Sequence, residues 1–178
     1  DPQSPNHIYL SGSSHHPYQF LWRSDDGGES WIPLTTTFPI TQTSGRYCWD
    51  SERLKPYVIS ETNTLYVSAC GTEGKYSGVI ISTDHGESWE SAMGGLTDTQ
   101  VTDLAFHPTN PLTMYAGTAN GNVFISHNGG MTWTFASQPV GYVHELDVNP
   151  FGDYEVWVAA ETFFGDPPGV LKSTNAKL

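Results

Sequence analysis

An eight-residue pattern that occurs three times constrains the fold of this chain more than any other feature. The copies read SDDGGESW at residues 24–31, STDHGESW at 82–89 and SHNGGMTW at 126–133, and a fourth copy begins at residues 173–175. Each complete copy has Ser first, Asp or Asn third, Gly fifth, Ser or Thr seventh and Trp eighth. Three ungapped copies are very unlikely to arise by chance, so the pattern predicts a repeated structural unit.

The segments between the copies favour short strands over helices. Apolar runs rich in β-branched and aromatic residues occur at residues 7–10, 64–67, 78–81, 122–125 and 155–158. Gly, Pro, Asn or Ser bound each run, and apolar residues rarely recur at helical spacing. Charged residues make up 15% of the chain and aromatic residues 13%, which is typical of a folded rather than a disordered chain. These features predict an all-β protein.

With these boxes the chain resembles the Asp-box (BNR) repeat family, which includes sialidases, sortilin-like receptors, xyloglucan-active glycoside hydrolases and photosystem II assembly factors. All of these are β-propellers. The resemblance therefore implies blades of four antiparallel strands, in which each box is the hairpin turn between the third and fourth strands. At about 40–50 residues per blade, the chain would hold about 3.5 blades of a partial or fragment propeller.

The expected organisation is a single propeller segment over residues 1–178. Its blade boundaries are placed at residues 1–40, 41–97, 98–139 and 140–178. The third blade gives the clearest strands, which we expect at residues 101–106, 113–117, 122–126 and 132–137.

Turn chemistry assigns structural roles to the residues of the boxes. The Asp or Asn side chain accepts N–H groups of the turn, the glycine adopts a positive φ, and the Ser or Thr hydroxyl completes the network. The tryptophan would be buried between blades. The alternative is a catalytic or calcium-binding role for the two Asp residues, although an Asn in the third copy suits a turn better than a catalytic acid. The structural residues are Ser24, Asp26, Gly28, Trp31, Ser82, Asp84, Gly86, Trp89, Ser126, Asn128, Gly130 and Trp133.

Chain tracing through four-stranded blades places the remaining loops on the face opposite the boxes. Aromatic rings beside polar groups suit sugar binding, because a ring stacks on the C–H face of a sugar while polar groups bond its hydroxyls. The alternative is that these rings pack the loops onto the blades. The aromatic residues of this predicted binding face are Tyr18, Tyr47, Trp49, Tyr76, Tyr142, Phe163 and Phe164.

Two classes of glycosidase can be compared with the residues available. A sialidase needs an arginine triad, and the arginines here, Arg23, Arg46 and Arg53, are not expected to converge, which argues against a sialidase. A xyloglucanase-like hydrolase needs two carboxylates in a cleft. Residues 45–50, GRYCWD, resemble a stretch of such enzymes. The candidate catalytic carboxylates are Asp50, Glu73 and Asp166, with Glu145 and Asp147 also available; solvated loop charges are the alternative.

Charge and cysteine content bear on partners and location. The net charge of −12 argues against nucleic acid and anionic membranes as partners, because both are polyanions. No transmembrane segment and no cofactor is predicted. No metal site is predicted either, because the adjacent His15 and His16 on an extended segment point to opposite sides. Cys48 and Cys70 would form a disulfide in a secreted protein or remain as two buried thiols.

Two functions from different classes follow from these observations. The first is a non-catalytic extracellular or periplasmic propeller module that binds a protein partner, a glycan or the remaining blades of a larger assembly. The second is a fragment of a xyloglucanase-like glycoside hydrolase that acts on polysaccharide. Propellers host both, so the fold by itself does not decide between them.

Overall fold

A computed structural model describes residues 1, 3–13, 19–34, 54–59, 62–69, 77–137, 141–151, 155–161 and 169–173. This part of the chain is all-β, with fourteen strands in four antiparallel sheets and no helix. No helix within those residues could therefore cross a membrane. The sheets hold three, four, four and three strands in chain order, which confirms the predicted fold class and strand pattern.

The first compact unit, Asp1–Ser91, contains two sheets. The first sheet is β1 (Ile8–Ser13), β2 (Gln19–Ser24) and β3 (Ile32–Pro33), and the second is β4 (Leu54–Ile59), β5 (Thr64–Ala69), β6 (Gly78–Ser82) and β7 (Glu90–Ser91). Each strand pairs with the next along the chain. Side chains from both sheets form one core, which comprises Leu21, Leu34, Leu54, Leu65, Val67, Ala69, Ile80 and Trp89.

The second compact unit, Ala92–Leu178, repeats this arrangement. The third sheet is β8 (Val101–Phe106), β9 (Met114–Thr118), β10 (Val123–Ser126) and β11 (Thr134–Ser137), and the fourth is β12 (Tyr142–Val148), β13 (Val156–Glu161) and β14 (Gly169–Lys172). The four strands of the third sheet begin and end within two residues of their predicted bounds. The core of this unit comprises Ala105, Tyr115, Val123, Ile125, Val143, Leu146, Val148, Val156, Val158 and Ala160.

The strand register shows that the sheets are repeats of one unit. The first Ser of each box pairs with the start of the preceding strand: Ser24 with Ile8, Ser82 with Leu65, and Ser126 with Met114. In the fourth sheet, the Ser173 N–H donates to the carbonyl of Val156 at 2.8 Å, at the same register. One strand position then carries an aromatic residue in all four sheets, namely Tyr9, Tyr66, Tyr115 and Trp157.

Close packing of the sheets requires a small residue two positions after this aromatic. A Cβ on Gly117 would lie 2.5 Å from Cγ1 of Val143, so the backbone of β9 touches the fourth sheet directly. The equivalent residues of the other sheets, Ser11, Ser68 and Ala159, are also small. The repeat therefore keeps a small residue at this position in all four sheets.

Candidate functional site

Each sheet has two ends that differ in chemistry. We call the end with the Asp-box turns (residues 24–31, 82–89 and 126–133) the box end. The opposite end of the second unit, formed by residues 98–100, 118–122, 141–142 and 161, is called the loop end. The strand order places these segments at the two ends, because consecutive strands run antiparallel.

The first box is closed by side-chain hydrogen bonds. The Ser24 hydroxyl donates to Asp26 Oδ1 at 2.8 Å and accepts the N–H of Gly28 at 2.8 Å. The Ser30 N–H donates to Asp26 Oδ1 at 2.9 Å, and the Ser30 hydroxyl donates to Oδ2 at 2.5 Å. These bonds hold the pKa of Asp26 well below its ordinary value, and the bond from the Ser30 hydroxyl has the largest effect.

The second box repeats these contacts around Asp84. Its carboxylate accepts the Ser82 hydroxyl at 2.7 Å, the Ser88 N–H at 2.9 Å and the Ser88 hydroxyl at 2.5 Å. The Ser88 hydroxyl and N–H together lower the pKa of Asp84 to about 2. The carboxylate oxygens thus serve the turn, as the sequence pattern predicts for a structural residue.

The third box achieves the same closure with an amide. Asn128 Oδ1 accepts the Ser126 hydroxyl at 2.9 Å and the Thr132 N–H at 2.9 Å. Its Nδ2 donates to the Thr132 hydroxyl at 2.8 Å, so the direction of that bond is reversed. The box network therefore needs acceptors in a fixed geometry but does not need a charge.

The glycines of the boxes have the left-handed backbone that the turn requires. Gly28, Gly86 and Gly130 have φ values of 99°, 91° and 82°. The residue before each glycine also has a positive φ. In the second box this residue is His85, with φ 60°, where the other boxes have Gly27 and Gly129.

Burial of the box tryptophans differs from the prediction. Trp89 and Trp133 are 7% and 4% exposed, whereas Trp31 is 36% exposed, so the expectation of a buried Trp31 is wrong. Its turn is nevertheless correct, since Trp31 Nε1 donates to the Gly28 carbonyl at 3.1 Å as Trp89 Nε1 does to Gly86.

The difference arises from the segment that follows the outermost strand of the preceding repeat. Leu34, after β3, packs in the same core as Trp89. The carbonyl of Ala92, after β7, accepts Trp133 Nε1 at 2.8 Å. Neither core of the described residues includes Trp31.

The first two sheets are joined at the box end by Arg23, through contacts that the sequence analysis did not predict. Its guanidinium donates to the carbonyl of His85 at 2.6 Å and to Glu87 at 2.9 Å. Arg23 Nε also lies 2.9 Å from Asp25 Oδ1 as an ion pair outside hydrogen-bond geometry. Burial by itself would lower the pKa of Arg23, but the two carboxylates outweigh it and raise that pKa.

A second unforeseen network lies at the loop end and is centred on Asp98. Its carboxylate accepts the Thr118 hydroxyl at 2.6 Å and the amides of Asn122 at 2.8 Å and Asn120 at 3.2 Å. These bonds fix the turn between β9 and β10. A Cβ on Gly121 would lie 2.3 Å from the Gly141 carbonyl, so this turn rests directly on the start of β12.

Tyr142, the one predicted binding-face aromatic among the described residues, lies beside this turn with two polar side chains. Its ring centroid is 4.8 Å from that of His144, with the planes tilted by 47°. His144 Nε2 lies 3.0 Å from Glu161 Oε2, and both side chains are exposed. A phenol, an imidazole and a carboxylate therefore meet at the loop end, and the last two were not among the predicted site residues.

Most of the other predicted site residues lie outside the described part of the chain. This holds for the candidate catalytic carboxylates, the cysteines, and the remaining binding-face aromatics: Asp50, Glu73, Asp166, Cys48, Cys70, Tyr18, Tyr47, Trp49, Tyr76, Phe163 and Phe164. Glu145 and Asp147 are exposed on β12. Within the described ranges, no group of three His, Cys, Asp or Glu residues could hold a metal ion.

Comparison with known proteins agrees with this geometry. The BNR/Asp-box repeat model matches residues 80–91 and 124–135. The chain is 27% identical over 172 residues to the oligoxyloglucan-reducing end-specific xyloglucanase of Emericella nidulans, a match that covers 88% of this chain and 21% of that enzyme.

Solved structures show the same fold. The GH74 enzyme of Niastella koreensis superposes with a TM-score of 0.67 at 18% identity, over 96% of this chain and 27% of that one. YCF48 bound to the D1 peptide gives a TM-score of 0.51 at 14% identity, over 88% and 43%. The chain thus spans about a fifth of the curated xyloglucanase that it matches. It contains BNR/Asp-box repeats at residues 80–91 and 124–135, and its fold is that of part of a β-propeller.

Proposed function

We propose that this chain is a propeller segment that binds a neutral polysaccharide of the xyloglucan type at its loop end. The observation that carries the proposal is the match to a xyloglucanase over 88% of the chain. The two ends of the sheets support this choice of surface. The central box residues Asp26 and Asp84 are engaged in turns, and the loop end exposes an imidazole and a carboxylate beside an aromatic ring.

The charge of the chain is compatible with such a ligand. A net charge of −12 repels polyanions but leaves a neutral polysaccharide unaffected. Carboxylate, amide and imidazole groups can bond sugar hydroxyls, and an aromatic ring can cover the C–H face of a sugar. Because xyloglucan is an extracellular polymer, the proposal also places the chain outside the cell.

Binding without hydrolysis is the function that we assign to this chain by itself. Glycoside hydrolysis needs two carboxyl groups about 5–9.5 Å apart across the scissile bond. A share in a xyloglucanase active site is the second candidate, and the enzyme relative favours it. In that case Asp50, Glu73 or Asp166 would supply a catalytic carboxylate.

Affinity electrophoresis of the 178-residue chain tests the proposal. Soluble xyloglucan in the gel should retard the chain, while pullulan, a neutral polymer of α-linked glucose, should not. Release of reducing sugar from xyloglucan above the buffer blank would instead favour the hydrolase. Unchanged migration in xyloglucan would refute the proposal, and binding to a peptide library in its place would favour a protein partner, as in the YCF48 complex.

A further inference from the structure

The repeats provide an internal control for the side chains at the loop end of the fourth sheet. Val101 pairs with Thr118 in the third sheet and Val143 with Ala160 in the fourth, and a bulge follows the valine in both. Three positions therefore correspond between the two sheets: the residue before the valine, the residue in the bulge, and the residue on the neighbouring strand that faces the residue before the valine. They are Gln100, Thr102 and Ala119 in the third sheet, and Tyr142, His144 and Glu161 in the fourth.

The third sheet shows what the fold requires at these positions. The Thr102 hydroxyl is buried and donates to the Gly117 carbonyl at 3.1 Å, which serves the backbone inside the sheet. Ala119 is 8% exposed, and its N–H donates to the Gln100 carbonyl at 2.9 Å. A small hydroxyl and a methyl group are thus sufficient for the bulge and the strand end.

The fourth sheet has larger side chains at these positions, and those of His144 and Glu161 are exposed to solvent. The side chain of His144 is 40% exposed and that of Glu161 is 61% exposed. The imidazole is oriented from both sides, by the hydrogen bond to Glu161 at 3.0 Å and by the Tyr142 ring at 4.8 Å. His144 lies in the bulge, and its contacts with Tyr142 and Glu161 place its side chain at the loop end.

We propose that Tyr142, His144 and Glu161 form a sugar-binding subsite for one residue of a neutral β-linked glucan, an assignment that rests on the proposed function. The ring of Tyr142 stacks on the C–H face of the sugar. Glu161 accepts a hydrogen bond from one sugar hydroxyl, and His144 bonds a neighbouring one. The Asp98–Asn120 turn borders the subsite across the contact between Gly121 and Gly141.

Back-substitution to the residues of the third sheet provides the test, since the fold already accepts those residues at the equivalent places. Isothermal titration with cellotetraose and with a xyloglucan oligosaccharide would compare the wild-type chain with Tyr142→Gln, His144→Thr and Glu161→Ala. Each variant should weaken binding about threefold to tenfold, the equivalent of one lost hydrogen bond or stacking contact. Tyr142→Phe, which keeps the ring, should retain most of the affinity.

Two controls separate binding from stability. Phe135→Gln removes an aromatic ring that is 55% exposed on β11, and Glu90→Gln removes an exposed carboxylate on β7; neither should alter the affinity. The melting temperature of every variant should stay within a few degrees of wild type. If the wild type binds either sugar and Tyr142→Gln and Glu161→Ala bind as well as it does, the subsite is refuted while the proposed function stands. If the wild type binds neither sugar, both fail.

Discussion

Asp84 offers a sharp test of the structural role of the boxes. Its carboxylate accepts three hydrogen bonds, from the Ser82 hydroxyl, the Ser88 N–H and the Ser88 hydroxyl. Asp84→Ala removes all of them, and water replaces part of the loss because the turn is solvent-accessible. We expect the free energy of unfolding to fall by about 1–2 kcal/mol. Asp84→Asn should cost about 0.5 kcal/mol or less, because Asn128 makes the equivalent contacts in the third box.

The pH dependence of the Asp84 effect has a defined sign. The folded-state pKa of Asp84, about 2, lies below the ordinary value of 3.8, so the folded state favours the ionised carboxylate. This contribution is fully present above about pH 4 and is lost as the pH falls through about 2. Solvent screening limits it to about 1 kcal/mol. Asp84→Asn should therefore lose less stability than wild type between pH 5 and pH 2.

Urea unfolding followed by tryptophan fluorescence at pH 7 and pH 3 measures both effects. Glu90→Gln serves as the control, because it removes an exposed carboxylate outside the turn. The midpoint should shift clearly for Asp84→Ala, slightly for Asp84→Asn and not at all for the control. Equal losses for the Ala and Asn variants would show that the charge, rather than the turn network, is what matters. A fully stable Ala variant that loses sugar binding would assign Asp84 to a functional site.

Three further predictions concern contacts within and between the sheets and can be checked by the same unfolding assay. Arg23→Met should destabilise the first unit by about 1–3 kcal/mol, because two carboxylates and a carbonyl lose their donor. Trp31→Phe should cost less than Trp89→Phe, since Trp31 is 36% exposed and Trp89 only 7%; equal costs would mean that Trp31 is covered in solution. Gly117→Ala should cost about 1–3 kcal/mol through contact with Val143, and Val143→Ala in the same chain should recover part of it.

The fold was largely predictable because its signals are local. The boxes are eight-residue turns in which the Ser, Asp and Asn side chains bond to residues at most four positions away, so the sequence pattern contains these side-chain contacts. The strands of the third sheet follow apolar runs bounded by turn residues. Trp31 was misplaced because burial depends on a neighbouring repeat and not on the box itself.

The contacts between sheets were not predictable from local patterns. The bond from Arg23 to the His85 carbonyl joins residues 62 positions apart, and the hydrogen bond between His144 and Glu161 depends on a bulge and on strand register. A signal for the first was nevertheless present. Arg23 precedes the box Ser, where the next two copies have Ile81 and Ile125, and an arginine in place of a core isoleucine indicates a specific partner.

Amide chemical-shift mapping of the ¹⁵N-labelled chain, titrated with a xyloglucan oligosaccharide, tests the central claim most directly. Polysaccharide binding at the loop end predicts that the shifts concentrate at Gly121, Tyr142 and Glu161 and saturate together with the ligand. The amides of Gly86 and Gly130, at the box end, should stay unchanged. Shifts confined to the box end, or no shifts at saturating ligand, would contradict the account.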